Sequence, residues 1–205
     1  MHPHDTRAVI IETAAGLFAD LGYSAVSMRD VAGRVGVTPA NLYHHFKGKD
    51  ELIREALAHV FAHKTAPLEA LLEALLNAGQ SPDERLEAFI RWFTHLLVED
   101  KIFFRLLVRE LTDGDAERLD YLSKTVLERP FALVRALART TIHDGEDDFL
   151  AAVSIIGVVL GQVQLGAIVQ HLPGGRSNHL DPDVIAGHVF AALRENLKKT
   201  PIKEA

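Results

Sequence analysis

In the stretch Thr38–Leu52, TPANLYHHFKGKDEL, side chains able to engage a phosphate recur beside residues that must be buried. A lysine ammonium such as Lys49 neutralises a phosphate, and a phenolic hydroxyl such as Tyr43 donates to it. Leu42 and Phe46 lie four apart, share one helix face and are expected to bury. Asn41, Tyr43 and His44 fall off that face. Thr38 is a natural N-cap, because its hydroxyl can accept from an orphan N–H of the first turn. Pro39 suits the first helical position, where its missing N–H costs nothing. Gly48 is expected to end this helix in a left-handed conformation. Beyond Lys49, the residues Leu52, Ile53, Ala56, Leu57, Val60 and Phe61 form the apolar stripe of the next helix. The surrounding elements decide whether the short helix reads DNA or merely packs.

Those elements are helical throughout, with no alternating strand pattern and no strand–helix–strand punctuation. The first helix is expected over about Thr6–Leu21, burying Ile10, Ala14, Leu17, Phe18 and Leu21 and ending at Gly22. Ser27 caps a second, with Met28, Val31, Ala32 and Val35 at helical spacing and Gly36 as the turn. The third starts at Thr38-Pro39. Three helices within 46 residues, the last two joined by a short turn around Gly36-Val37, have the spacing of a helix-turn-helix. Farther on, Pro67 is expected to bend or restart the fourth helix. Ser81, Pro82 and Glu84 form a capping box, opening a helix to about Glu99 that presents Leu86, Phe89, Ile90, Phe93 and Leu97. Ile102–Leu111 is helical, stopped by Asp113-Gly114. Pro130 must kink or divide the stretch Ala116–Thr141, and Asp144-Gly145 is a turn. A long apolar helix runs from about Asp148 to Leu172, ended by Pro173-Gly174-Gly175. Asp181-Pro182 launches the last helix, to about Lys199.

A chain of 205 residues, 48% hydrophobic, can bury a sizeable core. The absence of cysteine excludes disulfides, thiolate metal sites and thiol catalysis. His2, His4 and Asp5 do not form a basic region before an apolar one, so no secretory signal is expected, and a cytoplasmic location follows. The net charge of −6 argues against a generally basic nucleic-acid protein. Residues 1–64 hold seven Lys or Arg and seven Asp or Glu, so the acidity lies in the remainder. Any DNA binding by the first part must rest on a few placed phosphate contacts.

The run TRAVIIETAAGLFADLGYSAVSMRDVAGRVGVTPANLYHHFKGKDELI resembles the DNA-binding domain of the TetR family of bacterial transcriptional regulators. The shared features are the aliphatic-aromatic first helix with Phe18, the Gly22-Tyr23 turn, Ser27-Met28-Arg29-Asp30-Val31-Ala32, Gly36-Val37, and Leu42-Tyr43-His44-His45-Phe46 followed by Lys49 and Leu52. The resemblance covers roughly the first quarter of the chain. It implies an all-α protein: a three-helix DNA-binding domain over residues 1–48, then a helical ligand-binding and dimerisation domain over residues 49–205. It implies a two-fold dimer on a near-palindromic operator, with half-sites about one helical turn apart or somewhat more. The family's base-reading surface falls on Thr38, Pro39, Ala40, Asn41 and His44. Tyr43 and Lys49 match phosphate-contacting positions, and Ser27 and Arg29 match contacts from the second helix. Asn can read adenine with two hydrogen bonds, and proline or alanine carbons can touch a thymine methyl. Ala40 and Asn41 stand where many relatives carry glycine or serine and then a small polar residue, so the operator sequence does not transfer.

The resemblance further implies a repressor released by a small, largely apolar ligand, with no cofactor and no enzymatic activity. Trp92, Phe93, Phe103, Phe104 and Phe131 are the candidates to line its cavity. The alternative is a dimeric DNA-binding regulator without a ligand, its C-terminal part serving dimerisation or protein contact alone. His59 and His63, four apart, have a spacing able to share a metal, but no third ligand is placed, and no metal is expected. The acidic turn around Asp144–Asp148 lacks the spacing of a calcium loop. Phe149–Val169 has 21 uncharged residues and a Gly157-x-x-x-Gly161 pair, both membrane-helix cues. Ser154, Gln162 and Gln164 and the lack of flanking basic residues favour a helix buried against its own domain and a partner subunit. The dimer is expected to form through this helix and Asp181–Lys199.

Overall fold

The computed structural model describes residues 3–113, 115–141 and 147–197, all helices, turns and loops, with no strand among them. In chain order the helices are α1 (Pro3–Leu21), α2 (Met28–Val35), α3 (Pro39–His45), α4 (Lys49–Asn77), α5 (Pro82–Glu99), α6 (Lys101–Asp113), α7 (Ala116–Leu122), α8 (Glu128–Arg139), α9 (Asp148–Val169) and α10 (Pro182–Leu197). A π-helical turn, Ser123–Leu127, joins α7 to α8, and a 3-10 turn, Ser177–Leu180, precedes α10. Gly114, the turn at Asp144-Gly145 and Lys199 lie outside the described residues.

The chain forms two compact units: Met1–Thr65 with Lys101–Glu128, and Ala66–Asp100 with Arg129–Ala205. α4 contributes residues to both. In the first unit, Ile10, Ala14 and Phe18 of α1 join Val31 and Leu42, the full stripe Leu52, Ile53, Ala56, Leu57, Val60 and Phe61, and Phe103, Leu106 and Leu122. Each large side chain buried there contributes about 1.5–3 kcal/mol. Leu21, expected in this core, is exposed, and Leu17 and Val35 are half-buried. Gly22 turns the chain at φ +83°, so the stripe of α1 ends at Phe18-Ala19 and Leu21 points to solvent.

In the second unit, α5 buries Leu86, Phe89, Ile90, Phe93 and Leu97, the face read from its spacing. α9 and α10 pack on α5 and on each other, through Ala152, Ile155 and Val159 of α9 and Ile185, Val189 and Leu193 of α10. Arg91 and His95 of α5 pair with Asp183, and Arg194 pairs with Asp83 at 3.0 Å. Arg135 and Arg139 both hold Asp148, while Asp147 caps α9 by accepting from the N–H groups of Phe149 and Leu150.

The prolines behave differently from one another. Pro67 neither ends nor restarts α4, which runs unbroken past it. One missing N–H removes one helical hydrogen bond, and the buried Leu68 and Leu72 beyond it hold the helix on. Pro130 does not divide its stretch, which stays helical from Ala116 to Arg139; the change is a π-helical turn, Ser123–Leu127, just before the proline. By length and composition α9 is apolar enough to cross a membrane, and one face of it packs inside its own unit.

Candidate nucleic-acid interface

Local hydrogen bonds set the second and third helices before any long-range packing. Ser27 caps α2 by accepting from the Asp30 N–H at 3.2 Å, while the Asp30 carboxylate accepts from the Ser27 N–H at 2.8 Å and its hydroxyl at 2.6 Å. These bonds hold the Asp30 carboxyl below the usual carboxylate range. Gly36, at φ +81°, ends α2 in the left-handed region that glycine occupies without strain. Thr38 then caps α3 by accepting from the Asn41 N–H at 3.2 Å, with Pro39 behind it.

Within α3, Leu42 alone is buried. Thr38, Pro39, Ala40, Asn41, Tyr43 and His44 are all exposed, as are Ser27 and Arg29 at the start of α2. His45 is half-buried, its ring 6.4 Å from Phe46. The helix stops otherwise than expected. Gly48 is not left-handed; Phe46 leaves the helix in an extended conformation, φ −139° and ψ 130°. That turn buries the Phe46 ring, with the Arg7 guanidinium 5.0 Å from its centroid. Arg7 also pairs with Glu55, tying α1 to α4.

Lys49, first residue of α4, is half-buried, and its Nζ lies 4.1 Å from the centroid of the Tyr23 ring. A cation over an aromatic face contributes about 0.5–2 kcal/mol. Burial draws the lysine below its ordinary range, against the opposing pull of Asp50 and Asp30. The Tyr23 hydroxyl donates to Asp50 at 2.5 Å. Burial first, and then that bond, push the phenol up to about 12, so it stays a donor at neutral pH. The role of Tyr23 as platform for Lys49 was missed in the sequence, although the Gly22-Tyr23 turn marked its place. The Asp30 half of the capping box was legible, three residues beyond Ser27.

The residues expected at a ligand cavity divide between the units. Phe103 and Phe104 belong to the first, where the Phe103 ring is buried 4.8 Å from that of Phe61. Trp92, Phe93 and Phe131 belong to the second. There Phe89, Trp92 and Phe93 form a three-ring cluster with centroids 5.8, 6.1 and 6.2 Å apart, and Phe131 meets Phe149 edge-on at 5.1 Å. His59 and His63 are exposed, their rings 6.4 Å apart.

Residues 10–56, which contain the capped helix pair and Lys49, match the family model described as bacterial regulatory proteins, tetR family. This segment is similar to the DNA-binding part of TetR-family regulators. Over 55 residues it is 40% identical to the HTH-type transcriptional repressor KstR2 of Mycolicibacterium smegmatis, a match covering 27% of each chain. The chain thus spans about a quarter of the length of the curated relatives it first matches. The repressor KstR of Rhodococcus jostii is 28% identical over 158 residues, 76% of this chain and 69% of that protein. The regulator FadR of Bacillus subtilis, solved in complex with stearoyl-CoA, superposes with a TM-score of 0.72 at 19% identity, covering 95% of this chain and 99% of that one. The fold of that regulator therefore extends over nearly the whole chain.

Proposed function

We propose that the protein is a dimeric transcriptional repressor that reads a near-palindromic operator with α3 and leaves it when a largely apolar ligand binds. The observation that carries the DNA reading is the exposed row on α3, held by one buried leucine behind the Thr38 side-chain cap and followed by Lys49. Thr38, Pro39, Ala40, Asn41 and His44 take the base edges. Tyr43 and Lys49 bind phosphates, with Ser27 and Arg29 beside them. This work is done in the cytoplasm, and no catalytic step is part of it.

Dimerisation through α9 and α10 is supported by the side chains they leave uncovered: Val153, Val158, Leu165, Ile168 and Val184 are exposed. Gly157, Gly161 and Gly187 have open space where a Cβ would stand, which lets a second helix approach closely. Trp92, Phe93 and Phe131, all of the second unit, are proposed to line the ligand site. The stearoyl-CoA bound to the Bacillus subtilis relative makes long acyl thioesters the first probes. α4, which begins at Lys49 and contributes to both units, is proposed to transmit the effect. A coupling of about 1–3 kcal/mol would weaken operator binding roughly 5–150-fold.

The test begins by selecting duplexes from a random pool with the purified protein and footprinting the winners. Equal binding to selected and scrambled duplexes refutes sequence-specific regulation. Thermal shifts follow against acyl thioesters, and against ketosteroids because a Mycobacterium tuberculosis regulator of similar fold, KstR2, is described as a ketosteroid transcriptional regulator. No shift with any of them, alongside intact operator binding, favours the ligand-free regulator.

A further inference from the structure

Tyr23 receives a second cation. The Arg118 guanidinium of α7 lies 4.8 Å from the centroid of the same ring that carries Lys49. Arg118 is itself fixed: its Nε donates to Glu110 of α6 at 3.0 Å, both side chains are nearly excluded from water, and Asp115 lies 3.6 Å from its Nη1. Two further arginines of α6 grip the same end of α1. Arg105 pairs with Asp20, and Arg109 donates to the carbonyls of Ala19 and Asp20, each at 3.0 Å. α1 has no basic residue of its own in its last turn, so α6 supplies the cations that its C-terminal carbonyls attract. The contact is close, since a Cβ on Gly22 would stand 2.8 Å from the Arg109 guanidinium.

We propose that Arg118 is a positioning residue for Lys49, acting through the Tyr23 ring, and that with Arg105 and Arg109 it lets α6 and α7 set the phosphate-binding end of α4. A lysine stem is flexible and its ammonium strongly hydrated. Held over a ring that is itself held by Asp50 and Arg118, Lys49 meets a phosphate with less freedom left to lose. Loosening α6 and α7 would then weaken DNA binding without touching a residue of the reading helix.

This inference rests on Lys49 contacting phosphate, and a double-mutant cycle on the full chain tests it. The probe is a duplex selected from random sequence by the wild type, and the variants are Arg118→Gln, Lys49→Ala and their combination. Arg118→Gln is expected to weaken binding roughly 2- to 30-fold. It is expected to lower the salt dependence as Lys49→Ala does, and to have no further effect once Lys49 is gone. An equal loss with and without Lys49, or an unchanged salt slope, would overturn the proposal, because a purely structural arginine acts additively. If Arg118→Gln does not fold by circular dichroism, Tyr23→Leu takes its place in the same cycle. A DNA-free measurement stands beside it. The Lys49 ε-methylene protons should show an upfield ring-current shift that Tyr23→Leu abolishes and Arg118→Gln reduces, whereas a shift indifferent to both refutes the positioning. Should the wild type select no duplex, the DNA reading fails and the ring-current result alone decides whether Arg118 holds Lys49.

Discussion

Replacing Glu110 by glutamine keeps its shape and removes its charge, leaving the Arg118 guanidinium buried without its main partner. The two side chains are 7% and 9% exposed and 3.0 Å apart, so solvent screening offers little relief. Breaking such a pair by removing one member costs about 3–5 kcal/mol. Asp115, 3.6 Å from Arg118 and partly exposed, remains as a weaker partner and places the expectation near the lower end. Against a total stability of roughly 5–15 kcal/mol, that is a large loss. With a urea dependence of about 1–3 kcal/mol per molar, a loss near 3 kcal/mol should lower the unfolding midpoint by roughly 1–3 M. The informative control removes both charges. Glu110→Leu with Arg118→Met fills the space with apolar atoms and is expected to recover most of the loss, short by about 0.5–2 kcal/mol for the missing contact with Tyr23. Urea unfolding followed by circular dichroism reads both. A single variant within about 1 kcal/mol of wild type, or a double variant as unstable as the single, would refute the view that an uncompensated buried charge is what matters here.

Gly22→Ala should destabilise by about 1–2 kcal/mol or more, since φ is +83° and the new methyl meets Arg109; thermal melting checks this, and an unchanged melt would contradict the close approach. Hydrogen bonds to Glu99 and then Asp183 raise the His95 pKa above its ordinary value. Its stabilising contribution is therefore complete below the unfolded pKa and lost as pH rises through the higher folded one. Urea midpoints measured across that window should fall with rising pH in the wild type and lose this component in His95→Gln. Lys49→Ala and Tyr43→Phe should weaken binding alike on all duplexes, and Lys49→Ala should lower the salt slope by about one contact. Asn41→Ala should instead alter sequence preference by about 1–3 kcal/mol at one position, as reselection from a random pool would show.

What could be read from residue types was mostly what short-range chemistry decides. Ser27, Thr38 and Ser81 each cap where a hydroxyl three residues before a free N–H had to cap, and the stripe from Leu52 to Phe61 buries as its spacing requires. Errors arose where burial overruled local preference. Gly48 suggested a left-handed stop, but Phe46 ends α3 earlier because its ring must reach the core. Pro67 suggested a break, and packing beyond it carried the helix through. Among the candidate DNA contacts, the exposed row on α3 followed from periodicity, with Leu42 as its single anchor. The surroundings of Lys49 did not. Arg118 lies far along the chain from Tyr23, and no local pattern joins a ring in the α1–α2 turn to a guanidinium on α7.

Because Leu42 is the one buried side chain of α3, its exposed positions Ala40, Asn41, Tyr43 and His44 are nearly free of folding duties. Substitutions at such exposed sites usually shift stability by less than about 0.5 kcal/mol. A lineage carrying this scaffold can therefore drift from one binding sequence to another through viable intermediates, each as well folded as the last. Laboratory libraries randomised at Ala40, Asn41 and His44 should inherit the same tolerance, with most members soluble and only their duplex preferences scattered.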